Sequence, residues 1–289
     1  MIFPFPDVRS TFDGFASLAE LSNATKACSM EVIEIDMSAT TWFDANMSAA
    51  LGVVFTQLAD RLNTVQPVKI RNKVETILSK NLFLEGFGYP NTLDSNGTVI
   101  PYRRFKPEDD RYFASYLNKH LTGKGIPRMS DGLGRCFKDS ILEIFANSAG
   151  HSETKLGIFA CGQFFPMQGR LDFCVADAGI GFRRKIRKEL GLAMNSDKAI
   201  LWALEEGNTT RKGAVPGGLG LKLLREFISL NGGRIQIVSD RGFWELDARG
   251  ETVKRMDLTF PGTVVNLEIN TADQRSYCLK SETFNQKEL

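Results

Sequence analysis

A short alternating segment followed by a glycine-rich turn constrains the fold of this chain more than any other feature. Apolar and polar residues alternate from Leu171 to Ala176, which is the period of a β-strand with two different faces. Asp177 then opens the sequence DAGIG. Glycines at a strand end allow a tight turn and a close approach of a flat ligand, and an aspartate there can accept a hydrogen bond from an exocyclic amine. The segment predicts a strand that ends in a ligand-binding turn, with a plain DxG turn as the alternative.

Strand and helix patterns alternate along the rest of the chain, which is typical of an α/β fold. With 289 residues, 43% of them apolar, the chain has the length of one large domain or two modest ones, and we favour two. Turn-forming residues gather between residues 86 and 110 and indicate the boundary. The predicted units are a smaller α/β domain at 1–90, a linker and bridging helix at 91–125, a larger α/β domain at 126–272 and a flexible tail at 273–289.

The predicted helix at about 130–150 has an apolar and a polar face. The apolar stripe consists of Phe137, Ile141, Ile144 and Phe145, and the polar stripe of Arg135, Asp139, Glu143 and Asn147. Glu143 and Asn147 are one turn apart on the same face. A carboxylate and a carboxamide so placed could hold a metal-bound phosphate and activate a water or hydroxyl beside it. A polar face that is merely solvated is the alternative.

A second glycine-rich stretch, Pro216 to Leu221, leads directly into a predicted helix at 219–230. Glycines that open a helix expose unpaired amides at its positive end, which favours an anion. The stretch does not satisfy GxGxxG, and the chain contains no GxxxxGK[ST], so the dinucleotide and P-loop classes are excluded. The preceding loop offers the hydroxyl of Thr210 and the guanidinium of Arg211 to a γ-phosphate, or is a solvated loop.

The order and spacing of these motifs resemble the GHKL superfamily of ATP-binding domains, which includes histidine kinases, DNA gyrase, MutL and the anti-sigma-factor kinases. ExxxN lies on a helix, DxGxG follows about 30 residues later, a glycine-rich helix start follows about 40 residues beyond, and Gly262-Thr263 opens the last strand. The resemblance covers about residues 126–270. It implies a two-layer α/β sandwich, known as the Bergerat fold, with ATP bound between helices and sheet under a lid.

The resemblance also implies a role for each matching residue. Glu143 occupies the position of the general base, and Asn147 that of the ligand to Mg²⁺. The implied nucleotide-binding residues are Asn147, Asp177, Gly179, Gly181, Thr210, Arg211, Gly217, Gly218, Gly220, Leu221 and Thr263. Asp177 would bind the adenine amino group, the glycines of the last motif would cradle the phosphates, and Thr263 would support the adenine end.

The first 90 residues resemble the STAS fold of anti-sigma-factor antagonists, in which an aspartate-serine pair begins a helix and a GHKL kinase phosphorylates the serine. Here Asp44 is placed as a helix N-cap but is followed by Ala45, so the acceptor hydroxyl is missing. Ser48, one turn later, is a weaker substitute, because serine in an early helical turn is commonly structural.

Charge and hydropathy exclude other classes. The net charge of +2 gives no basis for nucleic-acid or membrane-surface binding, and no apolar run is long enough to span a membrane, so we expect a cytoplasmic protein. We also do not expect a self-phosphorylating histidine kinase or a gyrase-type ATPase. We expect an ATP-binding regulator that uses Mg²⁺, with a protein partner on the STAS-like domain or the lid, as a monomer or homodimer. The alternatives are a non-enzymatic nucleotide-dependent interaction module and a serine kinase acting on a separate protein.

Overall fold

The computed structural model of the chain describes residues 1–208, 210 and 219–285, and it confirms the predicted α/β class. A parallel three-strand sheet with helices comes first, and an antiparallel five-strand sheet packed against helices follows. The strands are β1 (Ile2–Pro4), β2 (Val32–Asp36), β3 (Thr64–Val68), β4 (Val99–Phe105), β5 (Ile158–Phe165), β6 (Arg170–Asp177), β7 (Arg234–Asp247) and β8 (Gly250–Asn270). The helices are α1 (Phe12–Ala24), α2 (Ser48–Asp60), α3 (Asn72–Lys80), α4 (Asp110–Leu121), α5 (Asp131–His151), α6 (Gly181–Leu190), α7 (Ser196–Leu204), α8 (Leu219–Asn231) and α9 (Lys280–Asn285).

The N-terminal unit is built on the sheet β1-β2-β3, in which both pairs of neighbouring strands are parallel. Ile33 and Ile35 of β2 are fully buried, whereas Glu34 between them and Asp36 after them are half-buried. The same alternation that predicts this strand therefore selects the face that joins the core. Helix α2 is buried along most of its length, because it is covered on more than one side.

The second sheet has the order β4-β5-β6-β8-β7, and every neighbouring pair in it is antiparallel. Helices α4, α5 and α8 pack on one of its faces. All four apolar-stripe residues predicted on α5, Phe137, Ile141, Ile144 and Phe145, are at most 4% exposed in that core. Ser130 begins the helix, because its hydroxyl accepts a hydrogen bond from the Leu133 amide.

The stretch predicted as a linker and bridging helix belongs to this second unit. β4 pairs with β5 at one edge of the sheet, and α4 packs against both β4 and α5. Phe113 of α4 stacks on Phe145 of α5, with ring centroids 4.4 Å apart. The composition between residues 86 and 98 is typical of a loop, but strand pairing with residues some 60 positions later is not visible in local composition.

The opposite face of the five-strand sheet is covered by the N-terminal unit. Helix α1 packs on β8, and α2 packs on β5 and β6, so one apolar core is shared by the two sheets. Cys174 and Ala176 of β6 lie in that shared core, whereas their neighbour Val175 lies in the core with α5. The sequence predicts a two-layer sandwich preceded by a smaller domain. In the structure the N-terminal unit covers the second face of the five-strand sheet, so the sheet is buried on both faces.

Side-chain amides join the two units inside this interface. Asn46 donates to Asn266 Oδ1 (2.7 Å), Asn266 donates to Gln236 Oε1 (2.9 Å), and Gln236 donates to the Ser10 carbonyl (3.0 Å). All three amide side chains are at most 1% exposed. Buried polar groups are stable only when they find such partners, so this network requires one relative placement of the units.

The last two strands, β7 and β8, form a hairpin that extends beyond the sheet's other strands. Phe243 on this extension contacts Phe12 and Phe15 of α1. Within the part of the chain that the structure describes, no helix is both long and apolar enough to cross a membrane.

Candidate functional site

Asp177 lies at the end of β6, beside polar residues of the two neighbouring strands. In the register of the sheet it is opposite Thr263 of β8, which is in turn opposite Ser239 of β7. The side chains of Ser239 and Thr263 approach to 3.2 Å. Side chains two residues apart on a strand point to the same face of the sheet. Val175 and Val265, two residues from Asp177 and Thr263, lie in the core with α5, so Asp177, Thr263 and Ser239 are on the sheet face that α5 covers.

The environment of Asp177 favours the neutral carboxyl more than water does. Its side chain is 2% exposed, and burial raises its pKa to about 7. The Gly179 amide, which donates to Oδ1 at 2.9 Å, and the hydroxyls of Ser148 and Ser152 on α5 act in the opposite direction. The carboxyl thus titrates near neutral pH in a pocket of hydroxyl and amide donors, and perturbed groups of this kind gather at functional sites.

The DAGIG turn fits against the C-terminal end of α5. The Ile180 amide donates to the Ser152 carbonyl at 2.8 Å, and a Cβ atom on Gly179 would lie 2.2 Å from that same oxygen. Gly181 has a φ of 75°, which an L side chain rarely adopts. These two positions therefore require glycine for packing and conformation, and the requirement holds whether or not a ligand binds there.

The backbone of β8 at Gly262 lies directly against the backbone of β6 at Asp177. A Cβ atom on Gly262 would lie 1.9 Å from the Asp177 carbonyl oxygen. The backbone around it is held from the other side, because Asn23 of α1 donates to the Thr259 carbonyl (2.8 Å) and Gln57 of α2 donates to the Pro261 carbonyl (2.7 Å). The segment beside Asp177 is thus held between β6 and the helices of the N-terminal unit.

The polar face predicted on α5 divides into two parts. Glu143 and Asn147 are half-buried and lie one helical turn apart, and Asn147 immediately precedes Ser148, which acts on Asp177. Arg135 and Asp139, nearer the start of the helix, are exposed. Asn147 therefore lies at the end of α5 that supports Asp177, Glu143 lies one turn earlier, and the other two residues are in solvent.

Gly220 and Leu221 occupy the first turn of α8, where backbone amides have no partner within the helix. The Leu221 side chain is 8% exposed and belongs to the core with α5, so only its backbone is available to an anion. Thr210 is half-buried. The predicted binding residues Arg211, Gly217 and Gly218 lie outside the described residues.

The predicted N-cap role of Asp44 is wrong. Its carboxylate makes no capping bond; it accepts hydrogen bonds from the Ser10 amide (2.7 Å) and the Trp42 indole (2.8 Å). Ala45 begins a short 3-10 turn and is 2% exposed, with its carbonyl accepting from Cys161 of β5. Ser48 is fully buried and accepts from Asn81 at 2.9 Å, so neither position presents a hydroxyl to a kinase.

Three hydroxyl residues near Asp177 were not singled out from the sequence: Ser148, Ser152 and Ser239. The two on α5 are four residues apart beside Asn147, and Ser239 continues the alternation of Ile235 and Ile237, so spacing alone could have indicated them. Among the described residues, no cluster of histidine, cysteine or carboxylate side chains could hold a metal by itself.

No protein-family model matches the chain, and no curated protein matches its sequence.

Proposed function

We propose that this chain binds an adenine nucleotide, ATP with Mg²⁺, at the end of β6 beside α5, in a site of the GHKL type on a Bergerat fold. The observation that carries the proposal is the buried carboxyl of Asp177, aligned with Thr263 and Ser239 across three strands and supported by the end of α5. A buried acid among hydroxyls at a strand end is suited to recognise a ligand that presents both donors and acceptors.

The described residues fit the chemistry of such a nucleotide. Asp177 would accept a hydrogen bond from the exocyclic amine of adenine, and the hydroxyl of Thr263 would contact the ring edge directly or through water. Asn147 would offer its amide oxygen to Mg²⁺, which usually takes few protein ligands and completes its shell with phosphate oxygens and water. The free amides at the start of α8 would bind phosphate.

Glu143 would act as the general base if the bound nucleotide is turned over. It lies one turn before Asn147 on the same face of α5, where a carboxylate can accept a proton from a water or from a partner's hydroxyl. The chain would then act as a regulatory protein whose partner-binding surface changes when the nucleotide binds, with slow ATP hydrolysis assisted by Glu143. If the γ-phosphoryl group passes to a hydroxyl of a separate protein instead of water, the chain is a serine kinase.

One observation favours a non-enzymatic interaction module instead. The place where a STAS-like antagonist would carry its phosphoserine is Ala45, buried against β5, and the nearby Ser48 is also buried. No described hydroxyl at this position could therefore be phosphorylated and dephosphorylated by a kinase. In this reading the nucleotide is a structural ligand.

Calorimetry with MgATP on wild type and on Asp177→Asn tests the proposal. We expect wild type to bind and the variant to bind much more weakly, because an amide offers the adenine amine a neutral acceptor and introduces an unmatched donor. Absence of MgATP binding by the wild-type protein would overturn it. Phosphate release by wild type and by Glu143→Gln then separates the two readings: turnover that needs Glu143 supports the enzyme, and an inactive wild type that binds ATP supports the module.

A further inference from the structure

A polar cavity lies where the N-terminal unit meets the DAGIG turn, apart from the proposed adenine site. Its volume is about 240 Å³. The ends of α1 and α2 form one wall, the DAGIG turn and the first turn of α6 form another, and the Thr259–Gly262 segment of β8 closes it. The amides of Asn23 and Gln57, which hold that segment, are part of the lining.

Three cations from three different elements line this cavity: Lys26 after α1, Arg61 at the end of α2 and Arg184 on α6. No carboxylate of the described chain forms an ion pair with any of them. With the described residues, the Arg61 guanidinium makes one hydrogen bond, to the Thr25 carbonyl at 3.3 Å.

Three of the other four cations on α6 form ion pairs within the described chain, and the fourth, Arg187, lies outside the cavity. Arg183, next to Arg184, is paired with Asp240, and Lys185 and Lys188 on the same helix are paired with Glu153. Asp240 is the only acid in the lining, and its carboxylate is already engaged by Arg183 and by the Ser196 hydroxyl at 2.9 Å.

The helix dipoles account for the positions of only two of the three cations. Lys26 and Arg61 follow the C-terminal ends of α1 and α2, where a cation is favourable for the helix itself. Arg184 approaches from the facing wall, in the first turn of its helix, where a cation is unfavourable. Three like charges around one concavity repel each other and raise the local positive potential, which an anion in the cavity would relieve.

We infer that this cavity binds a small molecule bearing a phosphate or pyrophosphate group, held by Lys26, Arg61 and Arg184. Arginine binds such groups through paired N–H donors, and lysine adds a point charge. The ligand would join the N-terminal unit to α6 through its oxygens. The three cations that carry this site have no role in the proposed adenine site, although Gly179 borders both.

Calorimetric titration with inorganic pyrophosphate in the absence of magnesium tests the inference. The main variant is Lys26→Ala/Arg184→Ala, because both side chains are exposed and their removal leaves the cores intact. We expect it to bind pyrophosphate at least about tenfold more weakly than wild type. The matched control is Arg187→Ala, which removes an exposed cation from the same helix outside the cavity and should change affinity by less than about twofold.

The inference is overturned if wild type does not bind pyrophosphate, if the double variant binds it as tightly as wild type, or if Arg187→Ala weakens binding as much as the double variant. MgATP titrations on the same proteins report on the proposed function independently, so failure of one does not imply failure of the other.

Discussion

The two faces of the five-strand sheet treat polar residues in opposite ways. On the α5 face, Asp177, Thr263 and Ser239 collect at one end of the strands, beyond the apolar core. On the face toward the N-terminal unit, Asn266 and Gln236 lie opposite each other and level with Cys174 in the middle of β6, sealed between the units. Polar groups at a strand end can serve a ligand, whereas those in the sealed interface serve each other, so position along the strand separates candidate function from structure.

Strand β6 carries a buried aspartate on each face, which makes the comparison sharper. Burial raises the pKa of Asp177 to about 7 and that of Asp172 to about 8. Asp172 has Arg170 at 3.2 Å but leaves one carboxyl oxygen without a hydrogen-bond partner among the described residues. Burial is therefore the main cause of the raised pKa of both acids. Only Asp177 lies beside a glycine turn and a row of hydroxyls. A raised pKa alone does not identify a site.

The largest effect is expected for Gly262→Ala, which tests the contact between β8 and Asp177. The new Cβ would meet the Asp177 carbonyl at 1.9 Å, so the backbone has to move. We expect a loss of about 3 kcal/mol in the free energy of unfolding, at the upper end for overpacking, together with loss of nucleotide binding. Chemical denaturation and calorimetry measure the two effects. Gly86→Ala is the control, since its Cβ would meet no atom within 4 Å; equal losses in both variants would contradict the prediction.

Replacing the two aspartates of β6 in turn tests whether their faces differ in function. We expect Asp177→Asn to weaken MgATP binding by about 30-fold, or about 2 kcal/mol, the value of a hydrogen bond to a charged group. Asp172→Asn, on the sealed face, should change the affinity by less than about threefold. Calorimetry on both variants gives the answer, and comparable losses would show that the two faces are not functionally distinct.

Removing a member of the interface amide network should affect stability and leave nucleotide affinity unchanged. Asn46→Ala deprives Asn266 of its donor inside a sealed interface, so we expect the free energy of unfolding to fall by about 1.5 kcal/mol. The exposed Asn118→Ala on α4 is the matched control, with a change within about 0.5 kcal/mol. Urea denaturation compares them. A loss of MgATP affinity in Asn46→Ala as large as that in Asp177→Asn would contradict the division of roles.

The last prediction concerns pH and Asp172. Burial raises its folded-state pKa to about 8, far above the usual value for aspartate, so the folded protein holds the proton more tightly than the unfolded chain. Stability from this group is therefore complete below about pH 4 and is lost as the pH rises toward about 8. We expect the stability of Asp172→Asn to fall less than that of wild type between about pH 5 and about pH 8, because the amide has no proton to lose. Urea denaturation at the two pH values checks this, and parallel pH profiles for wild type and variant would refute it.

The sequence determined the local structure around the candidate site. Alternation fixed β6 and the face of Asp177, helical spacing fixed α5 with Glu143 and Asn147 one turn apart, and glycines marked the turn after β6. These features are local, because period, capping and backbone freedom act within a few residues. The α/β class followed from the order of these elements along the chain.

Only the tertiary structure decided which side chains meet. Ser239 and Thr263 reach Asp177 through strand pairing across about 60 and 90 residues, and Asp44 accepts bonds from Ser10 and Trp42 where local pattern predicted a cap. The two-sided burial of the five-strand sheet likewise depends on α1 and α2 packing against it. Such pairings are selected by the free energy of burying apolar area and satisfying polar groups over the whole molecule, which no short window of sequence contains.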